Sequence, residues 1–233
     1  MNKIPTVVLT PYLDLYLDLA SKNGHINVLN WWVNSGLPLG YSEQALYNAS
    51  KNGHINVLNW WKKSGLPLKY NEDTLDHASF FGHINVLNWW KDSGLPLKYS
   101  QSAIDSTYNL DVLNWWFNSG LELKYSTRAL HTASQYENNT NILEWWKNSG
   151  LPLKYDELSM HYASQSNNIV VLDWWKKSGL PLKYFDIRSK SKKDIDSDVH
   201  YKDNVLAWWK NSGLSFEGHT LYSEWFQENL MLF

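Results

Sequence analysis

Cysteine is absent from this chain of 233 residues, and neither sign of charge is in large excess. The lack of cysteine excludes disulfide bonds, Cys-ligated zinc and thiol catalysis, and it is typical of proteins from a reducing compartment. A formal net charge of −2 gives no electrostatic reason to expect nucleic acid or an anionic membrane as a partner.

Long hydrophobic runs are also missing. No stretch approaches the roughly 18 apolar residues that indicate a membrane-spanning helix. The apolar stretch near the N-terminus is short and is interrupted by Pro5, Pro11 and Asp14, so the sequence predicts neither a signal peptide nor a membrane span. Together these features favour an intracellular protein of the cytoplasm.

Tryptophan is abundant, and its positions repeat. The pair Trp-Trp occurs seven times, and successive pairs are separated by 29, 29, 26, 30, 29 and 34 residues. The surrounding text recurs as A-S-K-N-G-H-I-N-V-L-N-W-W, then S-G-L-P-L, then K-Y. Such a period indicates one supersecondary unit stacked many times into a solenoid. The pairs begin at Trp31, Trp60, Trp89, Trp115, Trp145, Trp174 and Trp208.

The second repeat shows how the first helix of a unit, helix A, is encoded. Ser42 is a good N-cap residue, and Ala45, Leu46 and Ala49 follow it on one helical face. Helix A is expected to end before Gly53, because glycine accepts the left-handed backbone of a tight turn. The equivalent cap positions in later repeats are Asn71, Ser100, Ser126 and Asp156.

The Trp pair lies on the second helix, helix B. Val57, Trp60 and Trp61 form one wide apolar stripe, and Gly65 with Pro67 ends the helix. The residues that follow predict a short extended connector to the next repeat. We expect both rings of each pair to be buried between successive helical layers; the alternative is that they form a platform for a ligand.

These patterns predict an all-α fold, a solenoid of about seven stacked helix-turn-helix repeats with little or no β-hairpin. One domain is expected to span residues 1–233. A different segment at the C-terminal end, 217–233, is predicted to form a capping helix. The repeats cover approximately residues 11–40, 41–69, 70–98, 99–124, 125–154, 155–183 and 184–216.

The segment N-G-H-I-N-V-L-N-W-W-K-K-S-G, Asn52 to Gly65, resembles the second-helix pattern of the ankyrin repeat, N-G-H-L-x-V-V-x-L-L-L-x-x-G. The likeness covers about residues 11–216 and is carried by G-H copies at Gly24, Gly53 and Gly82. The family's T-P-L-H is absent, the period is about 29 instead of about 33 residues, and the cap lies about two residues earlier.

The asparagine-rich text G-H-I-N-V-L is most similar to ankyrin-like proteins of giant viruses of amoebae. This resemblance implies a viral or host-interaction protein that acts inside an infected cell. It also implies a module that binds other proteins. Because the departures from the family suggest shortened or absent β-hairpin fingers, the concave helix A face is the expected binding surface.

Histidine recurs once per repeat at His25, His54 and His83. Neighbouring repeats stack about 10 Å apart, whereas the ligands of one metal ion all lie about 2 Å from it. The column therefore predicts hydrogen bonding at the turn between helices and no metal site. The chain has no H-E-x-x-H motif, phosphate loop or nucleophile elbow, so we predict no enzyme, no cofactor and no small-molecule substrate.

Lysine forms a second column, with one residue before the tyrosine of five K-Y pairs. We expect these lysines to keep one edge of the solenoid soluble. The alternative is a ladder for an anionic partner. The five residues are Lys69, Lys98, Lys124, Lys154 and Lys183.

Positions that vary between repeats are expected to be free for recognition. Phe80 and Phe81 are the most informative, because the preceding repeat has Lys51 and Asn52 there and exposed aromatic side chains are common binding anchors. Alternatively, one Phe packs into the adjacent repeat. The candidate partner-binding residues are Tyr47, Asp76, His77, Phe80, Phe81, Asp105, His131, Tyr136, His161 and Tyr162.

The sequence thus favours a non-enzymatic, monomeric scaffold that binds an unidentified protein or peptide. Two alternatives stay open: a self-assembling structural repeat protein, and a binder of nucleic acid or glycan through exposed aromatic rings or lysines. The basic cluster at 188–194 is either a solvated loop or a contact for an acidic partner.

Overall fold

The structure, a computed structural model, describes residues 13–136, 140–185 and 201–214, and all regular secondary structure in these ranges is α-helical. The prediction of an all-α fold with no β-hairpin is therefore confirmed for the described residues. The helices are α1 (Leu13–Lys22), α2 (Ile26–Asn34), α3 (Gln44–Lys51), α4 (Ile55–Lys63), α5 (Asp73–Phe80), α6 (Ile84–Asp92), α7 (Ser102–Asp105), α8 (Leu110–Asn118), α9 (Arg128–Gln135), α10 (Thr140–Asn148), α11 (Glu157–Gln165), α12 (Ile169–Lys177) and α13 (Asp203–Asn211).

The chain divides into a first unit, residues 1–124, and a second unit, residues 125–233. In the first unit α1, α3, α5 and α7 pack in one row as helices A, and α2, α4, α6 and α8 pack in a second row as helices B. The second unit repeats this arrangement with α9 and α11 as helices A and α10 and α12 as helices B. Helix α13 carries the last Trp pair and is the helix B of the seventh repeat.

Several predicted features fall outside the described residues. These are the helix A of the seventh repeat, the basic cluster at 188–194 and the capping helix in 217–233. The longest described helix has 10 residues, and none of the described helices is long and apolar enough to cross a membrane.

The second ring of each Trp pair is the core of its repeat. Trp61 and Trp90 are fully buried, and each indole N–H donates a hydrogen bond to a serine of the helix A one repeat earlier. Trp61 Nε1 lies 2.9 Å from Ser21 Oγ, and Trp90 Nε1 lies 3.0 Å from Ser50 Oγ. The same bond joins Trp116 to Ser79, Trp175 to Ser134 and Trp209 to Ser164.

The first ring of each pair is half-buried, or exposed in the case of Trp31, so the expectation that both rings are buried is wrong for this ring. Adjacent residues of an α-helix point about 100° apart, which prevents both rings from facing the same layer. Trp60 Nε1 instead donates to Asn30 Oδ1 at 2.6 Å, at the edge of the helix B row. Equivalent bonds join Trp89 to Asn59, Trp115 to Asn88, Trp174 to Glu144 and Trp208 to Asp173.

The lysine column is part of the packing between connectors. Lys69 Nζ lies 4.4 Å from the centre of the Tyr41 ring and donates to the Tyr41 carbonyl at 2.8 Å, while the Tyr41 hydroxyl donates to the Pro67 carbonyl at 2.7 Å. The Tyr41 ring also packs 4.6 Å from the Trp61 ring. Lys98, Lys124, Lys154 and Lys183 contact Tyr70, Tyr99, Tyr125 and Tyr155 in the same way.

The histidine column hydrogen-bonds the turns, as predicted. His54 Nε2 lies 3.0 Å from the carbonyl oxygen of Lys22, and His83 Nε2 lies 2.9 Å from that of Lys51. The imidazole of His83 also covers Gly53, whose φ is +75° and whose missing Cβ would lie 3.0 Å from the ring. Glycine is therefore required there both by the backbone conformation and by the close approach of the next repeat.

Replacement of Trp61 by alanine is expected to destabilise the protein by about 3–5 kcal/mol, because it removes a fully buried ring and leaves the Ser21 hydroxyl without its donor. Trp60→Ala is the matched control in the same helix, and its half-exposed ring should cost roughly half as much. Urea unfolding followed by far-UV circular dichroism measures both. Equal losses would show that burial does not distinguish the two rings.

Replacement of His83 by alanine should cost about 1 kcal/mol, because the carbonyl of Lys51 loses its hydrogen bond. His83→Asn should cost less, since Asn168 makes this bond in the second unit, from its Nδ2 to the Tyr136 carbonyl at 2.9 Å. The urea midpoints of the two variants provide the comparison. A larger loss for the asparagine variant would contradict the proposed role of the histidine.

Candidate functional site

Four of the described helices A begin at a side chain that caps them. Ser42 Oγ accepts a hydrogen bond from the N–H of Gln44 at 3.0 Å, and Asp156 Oδ1 accepts one from the N–H of Leu158 at 3.0 Å. Ser100 and Ser126 cap their helices in the same way. The predicted cap column is confirmed at these four positions and is wrong at Asn71, whose Oδ1 accepts no hydrogen bond from α5.

The caps also join one helix A to the next. In the first unit the carboxylate of Asp18 accepts hydrogen bonds from the N–H and hydroxyl of Ser42, and Asp76 accepts the same two bonds from Ser100. The Asp76 side chain is buried. Burial raises the pKa of Asp76, and the two hydrogen bonds from Ser100 offset part of that effect.

In the second unit the carboxylate lies at the cap, and its hydrogen-bond partner lies on the preceding helix A. His131 occupies the helix A position, and its Nε2 lies 2.6 Å from Oδ1 of the capping Asp156. Burial alone would raise the pKa of Asp156, but the hydrogen bond from His131 and its positive charge hold it below its usual value. His161 contacts the hydroxyl of Tyr201 through Nδ1 at 2.7 Å.

Burial places four of the predicted partner-binding residues inside the array. Asp76, Asp105, His131 and His161 are between 0% and 8% exposed, so a partner cannot reach their side chains. Two of them bond the cap of the next helix A, Asp76 at Ser100 and His131 at Asp156, and His161 bonds the Tyr201 hydroxyl. Variation alone therefore does not identify an accessible position.

Four other predicted residues come together on the helix A face of the first unit. The rings of Tyr47 and His77 are 5.0 Å apart, and those of Phe80 and Phe81 are 5.0 Å apart. We call the group that they form with two further residues the aromatic cluster. Its members are Tyr47, Lys51, His77, Phe80, Phe81 and Tyr108.

Lys51 and Tyr108 connect the cluster, and sequence reasoning did not select either as a binding residue. The Lys51 ammonium lies 5.6 Å from the centre of the Tyr47 ring and 5.3 Å from that of Phe81. Tyr108 packs edge-on against Phe80, with ring centres 5.7 Å apart. Phe81 and Tyr108 are the most open members, with exposed fractions of 45% and 44%.

The exposure of these rings follows from the local chain path. Helix α5 ends at Phe80, and Phe81 is its C-cap, so the Phe81 ring projects at the turn. Helix α7 has only four residues, because the fourth repeat is about three residues shorter than its neighbours. Tyr108 lies in the loop that replaces the G-H turn there. The loss of the G-H motif is the sequence feature that could have identified Tyr108.

The remaining two predicted residues lie in the second unit. The ring of Tyr162 is 5.6 Å from that of His131 and 5.9 Å from that of His161. Tyr136 is 45% exposed, and its carbonyl accepts the hydrogen bond from Asn168. His161 also packs against Phe185 and Tyr201, and both of these rings are buried, so the aromatic group around Tyr162 is largely enclosed.

The helix B side of the first unit offers a different feature. An open groove of about 410 Å³ lies between α6 and α8, with Trp115 and the side chains of Asn88, Lys91 and Asp111 in its lining. Within the described ranges, no three histidine or carboxylate side chains converge as metal ligands would. The groove has one half-buried ring, whereas the aromatic cluster has two strongly exposed ones.

Comparison with known proteins supports the fold. The family model described as "Ankyrin repeats (many copies)" matches residues 17–60. The crystal structure of the human ASB11 ankyrin repeat domain is similar over 82% of this chain and 96% of that one, with a TM-score of 0.55 and 15% identity. The chain thus has the fold of an ankyrin-repeat solenoid. No match was found among curated proteins.

The His131–Asp156 pair should make stability depend on pH. Because the folded pKa of Asp156 is lowered, its contribution is present above the unfolded value of about 3.9 and is lost as pH falls through the folded value. Asp156→Asn can still accept the bond from Leu158 but carries no charge. The difference in urea midpoint between wild type and this variant should therefore shrink between pH 5 and pH 2.

Asp76→Asn is the control, because the stability contributed by Asp76 should change with pH in the opposite direction. The folded pKa of Asp76 is raised, so its contribution is present below the unfolded pKa and is lost as pH rises through the folded value. The advantage of wild type over Asp76→Asn should be greatest at low pH. If the Asp156→Asn difference stays constant from pH 5 to pH 2, the ionic character of the His131–Asp156 pair is refuted.

Proposed function

We propose that this chain is a non-enzymatic interaction module that binds a protein or peptide through the aromatic cluster on the helix A face of its first unit. Ankyrin repeats generally mediate protein–protein interaction. The observation that carries the proposal is the exposure of Phe81 and Tyr108 next to the half-buried rings of Tyr47 and Phe80. Partly exposed aromatic side chains that surround a supported ring are the usual anchors of protein interfaces.

The fold does not need aromatic residues at these positions. The preceding repeat has Lys51 and Asn52 where the third repeat has Phe80 and Phe81, and α3 and α5 end in the same way. The polar pair Lys51 and Asn52 is therefore as compatible with this turn as the aromatic pair Phe80 and Phe81. A role in recognition accounts for two large apolar side chains at an exposed turn.

The lysine column gives little support to the alternative that the partner is a nucleic acid. Each of its five ammonium groups packs on a tyrosine ring and donates to a backbone carbonyl. These contacts hold the charges on the connectors of the array. We therefore favour a protein or peptide over an extended polyanion.

We further propose that the protein works as a monomer inside a cell, where it engages a partner of an infected host. The absence of cysteine and the resemblance of the G-H-I-N-V-L text to ankyrin-like proteins of giant viruses support this setting. Static light scattering of the purified chain tests the oligomeric state. A concentration-dependent increase in mass would instead favour the self-assembling alternative.

Replacement of Phe80 and Phe81 by the pair found one repeat earlier, as Phe80→Lys with Phe81→Asn, should separate binding from folding. We expect helicity to be retained and stability to change by about 1 kcal/mol, because these residues already occur at this turn. Affinity for a partner captured from host-cell lysate should fall by at least about 30-fold, the loss typical of a binding hot spot. Circular dichroism and titration calorimetry measure the two effects.

Phe117→Lys is the matched control. Phe117 is 43% exposed on α8, and the equivalent positions of α4 and α6 already carry Lys62 and Lys91. This variant should leave binding unchanged. If the Phe80/Phe81 double variant unfolds while its folded fraction binds normally, the two rings belong to the core and the proposed interface is wrong.

A further inference from the structure

We infer that the partner of the aromatic cluster is a peptide segment in which a carboxylate side chain lies next to an apolar one. This inference rests on the proposed function, because it names the chemistry that the same surface recognises. Phe81 and Tyr108 offer the apolar contact, and Lys51 offers the positive charge. The arrangement of Lys51 carries the argument.

The ammonium of Lys51 is positioned by aromatic rings and is not neutralised by an acid. It lies 5.3 Å from the centre of the Phe81 ring and 5.6 Å from that of Tyr47. Its hydrogen bond is to the Tyr47 hydroxyl, at a long 3.5 Å. Within the described part of the chain, no carboxylate lies within ion-pair distance of it.

The charges around the cluster are distributed so that an acid would be attracted to this end of helix A. The acidic residues Glu43, Glu72 and Asp73 lie at the N-terminal ends of α3 and α5. Lys22 and Lys51 lie at the C-terminal ends of α1 and α3, and Lys22 is exposed. The turns of the first two repeats thus carry an exposed or half-buried lysine, whereas the turn of the fourth repeat carries the carboxylate of Asp111, three residues after Tyr108.

The backbone at the end of α3 does not cancel this attraction. The free carbonyls at the C-terminus of a helix normally repel an anion. Here the carbonyl of Lys51 already accepts a hydrogen bond from His83 Nε2 at 2.9 Å, and the carbonyl of Lys22 accepts one from His54. A carboxylate can thus approach the Lys51 ammonium at the border of an apolar surface, where screening by water is weaker than in bulk solvent.

An apolar side chain next to that carboxylate would lie on Phe81 and Tyr108. The Phe81 ring is shared by both contacts, since it lies under the ammonium and packs against Phe80. One residue of the peptide would therefore pair with the charge while its neighbour packs on the rings. A purely acidic segment would leave the rings uncovered, and a purely apolar one would leave the ammonium unpaired.

Selection from a random dodecapeptide phage library on the immobilised full-length chain tests the inference. Peptides that bind the cluster are identified by loss of binding to the Phe80→Lys/Phe81→Asn variant. These peptides should carry Asp or Glu beside an apolar residue. Lys51→Gln should weaken them at least 10-fold, and the fold should be retained because Gln135 and Gln165 occupy the equivalent helix ends in α9 and α11.

A double-mutant cycle locates the ion pair. When the acidic residue of a selected peptide is changed to its amide, affinity should fall for wild type but should not fall further for Lys51→Gln. Lys63→Gln, an exposed lysine at the end of α4, is the control for net charge and should keep the full loss.

The outcomes distinguish the two proposals. Cluster-dependent peptides that lack an acidic residue, or that bind Lys51→Gln as well as wild type, would overturn the inference and leave the proposed function intact. A selection in which no peptide depends on Phe80 and Phe81 would count against the proposed function itself.

Discussion

The fold depends on one contact, the buried indole of the second Trp in each pair. An apolar ring of this size contributes several kcal/mol of burial, but its N–H must have an acceptor once it is removed from water. A serine of the preceding helix A is that acceptor in every case described within the two units. Each repeat is therefore completed by the one before it, as expected for a solenoid. In the first repeat Trp32 Nε1 donates to the Pro38 carbonyl of its own connector, and Trp31 is 59% exposed.

The connectors replace the β-hairpins of longer repeats with a set of side-chain contacts. Tyrosine lies between the Trp ring, the lysine ammonium and a carbonyl of the next connector, so each residue of the K-Y pair has a packing role. At the turns between helix A and helix B, histidines join successive repeats, because each donates a hydrogen bond to a backbone carbonyl one repeat earlier. Beside these packed contacts, Phe81 and Tyr108 stay exposed at the C-terminal ends of α5 and α7.

Variation on helix A has two different physical origins. At one position Asp76 or His131 faces the next cap, and the change of residue is matched by a change from serine to aspartate at that cap. At the other, Phe81 lies at the turn and is 45% exposed, although its ring also contacts Phe80 and Lys51. Only the second kind supports an argument for binding. Sequence comparison between repeats cannot separate them, because both appear as variable columns.

The sequence alone determined the helical class, the repeat length, four of the five predicted caps and the structural role of the histidines, because each follows from a local rule about periodicity, capping or turn conformation. It also singled out Phe80 and Phe81 as unlike their neighbours. Only the tertiary structure decided which ring of each Trp pair is buried, that the lysines pack on tyrosines, and that Asp76, Asp105, His131 and His161 are enclosed. It also added Lys51 and Tyr108 to the cluster. The reason is geometric: successive helix positions point about 100° apart, and whether a side chain meets solvent or another repeat depends on a neighbour placed some 30 residues away along the chain.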